Sequence, residues 1–317
     1  AGVPLKLNST IDQTSIPRST VAEVYNTIIS DVEKGINLLT EVNATGSKFR
    51  IGISTAHLLA SRYYLFMENW EKVVEHATAV FSAPGNSHSL FDMTNVNYPN
   101  AINTGGFPHP FTLNNPEILF FYASEEEHEV VTSDYYAKCF MASDQLRNCY
   151  SNEDQRWNGY LCPYGEAGDE KKSSKFAREL KFGACLRLSE AYLNRAEAYA
   201  NLAKIGGNEY FGKALSDLNT IREKRIKNYA SQAWTNSTFN NNADNLIENC
   251  REERRREFCF EGMRWFDLRR YGMQSFSHRL DESTNPGDEH SVEIGTATPK
   301  WMLPIMQHHK ESNPALN

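Results

Sequence analysis

Val21, Val24, Ile28, Val32, Ile36 and Leu39 recur every three or four residues, the spacing that collects side chains on one face of an α-helix. Thr20 and Glu23 stand at capping-box spacing just ahead of them and set the predicted helix start. A second helix is predicted over 54–67 from Ala56, Leu59, Ala60, Tyr63 and Tyr64, with Ser54 as its N-cap. After a turn at Glu68-Asn69, Trp70, Val73, Val74, Ala77 and Val80 mark a third helix, which Pro84-Gly85 stops. Two helices joined by a tight turn, with small and aromatic residues at matched positions, read as a tetratricopeptide-like hairpin.

The pattern returns late in the chain. Leu188, Ala191, Tyr192, Ala196 and Tyr199 mark one helix within 186–202; Phe211, Ala214, Leu215, Leu218 and Ile221 mark another, between Gly206-Gly207 and Arg225. More than a hundred residues separate the hairpins, which excludes a uniform solenoid. A further helix starts near Asn245 and carries Arg251 to Arg256 with interleaved glutamates, Glu252 and Arg256 being spaced i,i+4. This face reads as solvated or salt-bridged.

Between the hairpins the periodicity fails. The stretch 85–185 holds Gly105-Gly106, Pro108, Pro110, Pro116 and many aromatic residues, with one strand-like run, 118–122. The expectation is a mainly α chain with minor β: one domain over 1–317, made of a helical hairpin region (19–84), a loop-rich insertion (85–185), a second hairpin with a charged helix (186–273) and a C-terminal segment (274–317). Long loops on a rigid scaffold are where binding residues gather, so the insertion is the candidate ligand surface.

Composition supports this picture. The chain has 317 residues, 40% of them hydrophobic, enough to bury a core. Its net charge of -7 disfavours a nucleic-acid partner. Six cysteines form no C-x-x-C pair, so no zinc or redox motif is readable. Cys149 and Cys162 lie in loop-like sequence where a disulfide would fit, whereas the others read as small buried residues. No secretory leader is visible from Ala1 to Leu5.

Catalytic patterns are missing. Gly52-Ile53-Ser54-Thr55-Ala56 lacks the closing glycine of a nucleophile elbow. There is no H-E-x-x-H, P-loop or G-x-G-x-x-G, and His308-His309 are expected to point apart on a helix. Asp281, Ser283, Asn285 and Asp288 depart from calcium-loop spacing and read as a turn. Glu125-Glu126-Glu127 reads as a solvated loop. A non-enzymatic protein without cofactor or metal is expected.

The specific signal is Glu253-Arg254-Arg255-Arg256-Glu257-Phe258-Cys259-Phe260-Glu261-Gly262, continuing Met263-Arg264-Trp265-Phe266-Asp267-Leu268-Arg269-Arg270. It resembles the hallmark of the SusD/RagB family of nutrient-binding outer-membrane lipoproteins. Asn115-Pro116-Glu117-Ile118-Leu119-Phe120, the run 186–198 and Leu303-Pro304-Ile305 resemble other family segments in the same order, while Met306 and His309-Lys310 depart from its usual C-terminus. The hallmark itself is expected to stabilise the fold, with Phe258, Phe260, Trp265 and Phe266 in the core and Arg264 paired with Asp267.

The resemblance implies a SusD-like fold and a cell-surface protein that captures oligosaccharide and delivers it to a SusC-like TonB-dependent outer-membrane transporter. It implies attachment to the bacterial outer membrane through a lipid anchor outside this chain, and helices ahead of its first residue. A peptide-capturing relative and a helical scaffold binding only protein are the alternatives. Within the insertion, sugar-binding chemistry is densest at Arg147, Asn148, Tyr150, Asp154, Arg156, Trp157, Asn158 and Tyr160, and again at Asn97, Tyr98 and Asn100. An aromatic plane flanked by amide, carboxylate and guanidinium groups suits a pyranose ring. Trp157, Tyr160, Tyr98, Arg147, Asn148 and Asp154 are therefore the expected ligand residues. The competing reading has Trp157 and Tyr160 pinning the loop to the scaffold.

Overall fold

The computed structural model describes residues 2–11, 14–98, 110–122, 142–164, 170–173, 175, 184–281, 289–302 and 304–316. Helix α1 spans Val21–Glu41. Its start is set by the expected box: Thr20 Oγ1 accepts from the Glu23 N–H at 3.1 Å and Glu23 Oε2 accepts from the Thr20 N–H at 2.7 Å. Helices α2 (Ile53–Phe66) and α3 (Trp70–Ser82) form the first hairpin. Asn69 caps α3 by accepting from the Lys72 N–H at 3.2 Å. Gly52, not Ser54, is the N-cap of α2, and Ser54 is buried inside the helix. A Cβ at Gly52 would lie 2.5 Å from the Thr45 carbonyl, so the close approach of that loop fixes the glycine and moves the helix start.

Strand β1 (Ile118–Tyr122) is the expected apolar run. Short helices α4 (Asp144–Arg147) and α5 (Arg156–Gly159) follow, then β2 (Leu161–Tyr164), β3 (Glu170–Ser173) and β4 (Ala184–Arg187). β1 pairs antiparallel with β4, placing Phe121 opposite Cys185, while β2 pairs with β3. The second hairpin consists of α6 (Leu188–Lys204) and α7 (Asn208–Glu223). Helix α8 (Ala243–Glu257) and α9 (Arg264–Arg270) carry the charged segment, and β5 (Phe276–Asp281) pairs with β6 (Glu289–Ile294). Helix α10 spans Gln307–Ser312. There the His308 and His309 rings do not diverge; their centroids lie 3.9 Å apart.

Helix α6 is the hub, packed against α2, α3, α7 and α8, so the two hairpins meet despite their separation in sequence. Ala191, Ala196, Ala198 and Ala200 are fully buried and let those neighbours approach closely. Glu190, Asn194 and Glu197 form a buried polar stripe at helical spacing, and each is satisfied. Arg62 donates to Glu190 at 2.5 and 2.6 Å, Arg254 donates to Asn194 Oδ1 at 2.7 Å, and Arg270 donates to Glu197 Oε2 at 2.7 Å. Among the described residues no helix is long and apolar enough to cross a membrane.

Candidate ligand-binding site

The insertion reaches the scaffold through charge. Helix α4 is capped by Ser143, whose Oγ accepts from the Leu146 N–H at 3.3 Å, and Leu146 enters a cluster with Tyr98, Phe111, Ile118, Phe121 and Tyr160. That anchoring leaves Arg147 and Asn148 exposed. The next residues are riveted to α8: the Tyr150 hydroxyl donates to the Arg256 carbonyl at 2.8 Å, and Arg256 Nη1 donates to the Cys149 carbonyl at 2.9 Å. Cys149 carries a free thiol, so the disulfide with Cys162 is not formed.

Asp154 turns inward. Its carboxylate receives Arg156 side on, Nε to Oδ1 at 2.9 Å and Nη2 to Oδ2 at 2.6 Å, and Arg156 Nη1 continues to Glu253 at 2.6 Å and Glu257 at 3.0 Å. All four residues are buried. Glu257 is the centre of the network. Besides Arg156 it accepts from Arg187 Nη1 at 2.5 Å, Arg225 Nη2 at 2.9 Å and the Tyr160 hydroxyl at 3.0 Å. Arg187 and Arg225 each also donate to Glu117 at 2.8 Å. Burial alone would raise the Glu257 carboxyl, but Arg225, Arg187 and Arg156 overcome it and hold it well below the usual carboxylate range. Glu253, likewise buried and faced by Arg156, Arg256 and Arg222, is held at about 2. These carboxylates are ionised and paired, unlike a general acid, which needs a raised pKa.

Tyr160 is consumed by the same network. It is 1% exposed, its ring lies 4.2 Å under Lys175 Nζ, and burial pushes its phenol well up. Tyr98 is also buried and packs beside it, because residue 159 is glycine. A Cβ there would come within 2.7 Å of Tyr98 Cζ. The two expected sugar-binding stretches thus converge in one cluster, yet Tyr98, Asp154 and Tyr160 face the core. Trp157 is half-buried against Tyr150, with ring centroids 5.7 Å apart. Arg147, Asn148 and Asn97 are exposed, and Asn100, Glu125, Glu126, Glu127, Ser283, Asn285 and Asp288 lie outside the described residues.

The hallmark segment completes the anchor. Phe260 and Gly262 adopt left-handed φ of 61° and 72° and turn the chain between α8 and α9. Asp267 pairs with Arg254 and Arg270, each at 3.0 Å, and not with Arg264, which stays at the surface. Phe266 also lies outside the core, 49% exposed, because Leu268 and Asp267 occupy the inward face of this short helix. Sequence reasoning missed Glu117, Arg187 and Arg225. A charged residue inside an apolar run, as in Ile118's neighbour Glu117 or Leu186-Arg187-Leu188, was the available signal. Among the described residues no group of His, Cys, Asp and Glu could hold a metal ion.

A family model described as the SusD family matches residues 94–317, and one described as starch-binding associating with outer membrane matches residues 1–65. Solved structures agree. A SusD superfamily protein from Bacteroides thetaiotaomicron is 24% identical with a TM-score of 0.71, the match covering 100% of this chain and 70% of that one. A SusD-like carbohydrate binding protein from Bacteroides vulgatus is 19% identical with a TM-score of 0.67, covering 99% and 70%. A SusD superfamily protein from Bacteroides fragilis is 25% identical with a TM-score of 0.67, covering 99% and 68%. No curated protein matches the chain.

Proposed function

The chain belongs to the SusD/RagB family, and from that premise we propose that it captures oligosaccharide at the bacterial cell surface without cleaving it. The observation that carries this reading is the match of the family model to residues 94–317, most of the insertion and everything after it. The description of the second model and the printed name of the Bacteroides vulgatus structure both point to carbohydrate. In this reading the protein is held at the outer membrane by a lipid anchor and hands its ligand to a SusC-like TonB-dependent transporter. The ligand lies over the exposed edge of the insertion, where Trp157 offers part of an aromatic plane beside Arg147 and Asn148. The buried ion network keeps that edge rigid, which limits the ordering cost of binding.

The test is calorimetric titration of neutral oligosaccharides, maltoheptaose first, followed by chromatography of the recovered sugar. Saturable binding with uncut sugar supports the reading. Shortened sugar would make the protein a hydrolase, and a panel that binds only peptides would make it a peptide-capturing relative. Co-purification with a SusC-like transporter tests the delivery step.

A further inference from the structure

The exposed edge of the insertion does not end at Arg147 and Asn148. Helix α4, which ends at Arg147, supplies part of one wall of a cleft of about 520 Å³, and the turn between α8 and α9 supplies the other. Its size lies within the range of small-molecule sites. Ser143 and Gln145 bring a hydroxyl and an amide to the lining, Phe258 and Phe276 bring apolar surface, and Arg255 and Arg264 bring charge. Two contacts tie this cleft to the edge. Arg256, next to Arg255, donates to the Cys149 carbonyl at 2.9 Å, and Arg264 interacts electrostatically with the Cys149 thiol. Cys149 directly follows Asn148.

Along this line stand accessible guanidinium groups without a counter-charge. Arg147 and Arg264 are exposed and Arg255 is half-buried, and no side chain of the three makes a hydrogen bond or salt bridge among the described residues. The chain carries a net charge of -7, and elsewhere on its surface Lys204, Lys224 and Arg251 each hold a carboxylate, at 2.6, 3.2 and 2.6 Å. The carboxylates nearby do not serve the three arginines. Asp267 is shared by Arg254 and Arg270, each at 3.0 Å, and Glu252 lies 3.6 Å from Arg256. Asp144, in the first turn of α4, is the one carboxylate there without a partner among the described residues. Partial desolvation and then the like charge of Arg255 lower the Arg264 pKa, so this pair is held together against repulsion. A neutral sugar leaves the excess charge unanswered. Its hydroxyls suit Ser143, Gln145 and Asn148, and its ring face suits Trp157. Guanidinium groups gain most from an ionised acceptor, which they bind through forked, charge-assisted hydrogen bonds.

We propose that the captured ligand is an acidic oligosaccharide, one that bears carboxylate or sulfate groups, and that Arg147, Arg255 and Arg264 select it by its charge. This inference rests on the capture reading above and adds to it the class of sugar. Trp157 takes a ring face at the edge of the insertion, and the acid group of a neighbouring unit meets Arg147. The sugar chain continues into the cleft, where Arg255 and Arg264 take a further acid group. No covalent step is involved.

The experiment titrates one sugar in three forms into the full chain by calorimetry: maltoheptaose, maltoheptaose oxidised at C6 to the glucuronate, and sulfated maltoheptaose. At low salt at least one acid form should bind about tenfold tighter than the parent or better. The gap should shrink as sodium chloride rises from about 20 to about 500 mM. The double variant Arg255→Gln plus Arg264→Gln, changed at accessible positions, should melt near the wild type and narrow the gap severalfold. Arg147→Gln should narrow it too. Either acid form exceeding the parent supports the proposal, and the tighter of the two identifies the group recognised. A parent that binds as well as both acid forms overturns the proposal and leaves the capture reading standing. So does a gap that the double variant leaves intact, because the attraction then comes from elsewhere. Binding by none of the three forms overturns the capture reading and the proposal together.

Discussion

The Tyr160 hydroxyl donates to Glu257 Oε1 at 3.0 Å, joining the insertion to the last turn of α8 inside a fully buried ion network. Glu257 also takes three arginines, so the phenol is one of four donors on that carboxylate. Tyr160→Phe removes a hydrogen bond to a charged acceptor without opening a cavity, at a cost of about 1.5–3 kcal/mol. Glu257→Gln should cost more, about 3–5 kcal/mol, because it strips the counter-charge from Arg156, Arg187 and Arg225 at once. Urea unfolding of both variants checks the order. If Tyr160→Phe unfolds with the wild type, the phenol is not a structural contact.

Trp265 packs on Trp301 with centroids 4.9 Å apart and meets Phe276 edge-on at 6.3 Å. Trp301 is completely buried, so this stack closes the lower side of α9. Trp265→Ala should destabilise the protein by about 3 kcal/mol, the lower end for a large aromatic because Trp265 is only half-buried. A denaturant midpoint within error of the wild type would rule out the stack as a fold contact.

A histidine pair links α2 and α3 beneath α1. Tyr64 donates to Glu33 at 2.8 Å, and His76 Nε2 lies 3.1 Å from the same carboxylate, so that nitrogen carries a proton. His76 Nδ1 is then the acceptor in its 3.0 Å contact with His57 Nδ1, and His57 donates. Burial and then the neighbouring His76 lower the His57 pKa; burial lowers that of His76 against the opposing pull of Glu33 and Glu75. The unfolded chain therefore binds protons near 6.5 that the folded protein refuses. Stability should be level above that pH and fall as pH drops below it, until the depressed folded values are passed. His57→Gln should flatten part of this slope in melting curves between about pH 7 and pH 5. An unchanged slope in the variant would place the titration elsewhere.

Legibility in the sequence followed solvent contrast. Helix α1 lies on the surface with one face inward, so its spacing and its Thr20–Glu23 box were readable. Helix α6 was readable from its family likeness and small residues, but its burial on most sides left little contrast between faces. The β5–β6 hairpin, whose β5 reads Phe-Ser-His-Arg-Leu-Asp, shows no apolar alternation and was not foreseen. For the site, composition located the right stretch but not its orientation. Helix α5 is one turn long, too short for a period to say that Arg156 faces in and Trp157 half out. Glu253 and Arg254 read as part of a solvated or salt-bridged face, and the salt bridges form, but their partners, Arg156 and Asp267, come from a distant segment and from beyond a turn, where periodicity cannot name them.

The same contrast sharpens the binding prediction. A side chain buried in an ion network, like Asp154 and Tyr160, or in an apolar cluster, like Tyr98, cannot meet a sugar without unfolding its surroundings, so these three should affect affinity only through stability. Trp157, Arg147 and Asn148 retain accessible surface on the insertion. Trp157→Ala should therefore weaken oligosaccharide binding at least about tenfold, or about 1.4 kcal/mol, with a melting temperature near that of the wild type. Arg147→Ala and Asn148→Ala should each weaken binding by a smaller factor, since each removes one hydrogen-bonding group from a solvated rim. Tyr160→Phe provides the internal control: it keeps the ring, lowers stability, and should leave affinity unchanged wherever the protein remains folded. Calorimetric titration of maltoheptaose into all four variants separates the outcomes. Equal affinity in Trp157→Ala, Arg147→Ala and Asn148→Ala would remove the ligand from this edge of the insertion altogether. A selective loss in Tyr160→Phe would mean that the cluster opens to admit it.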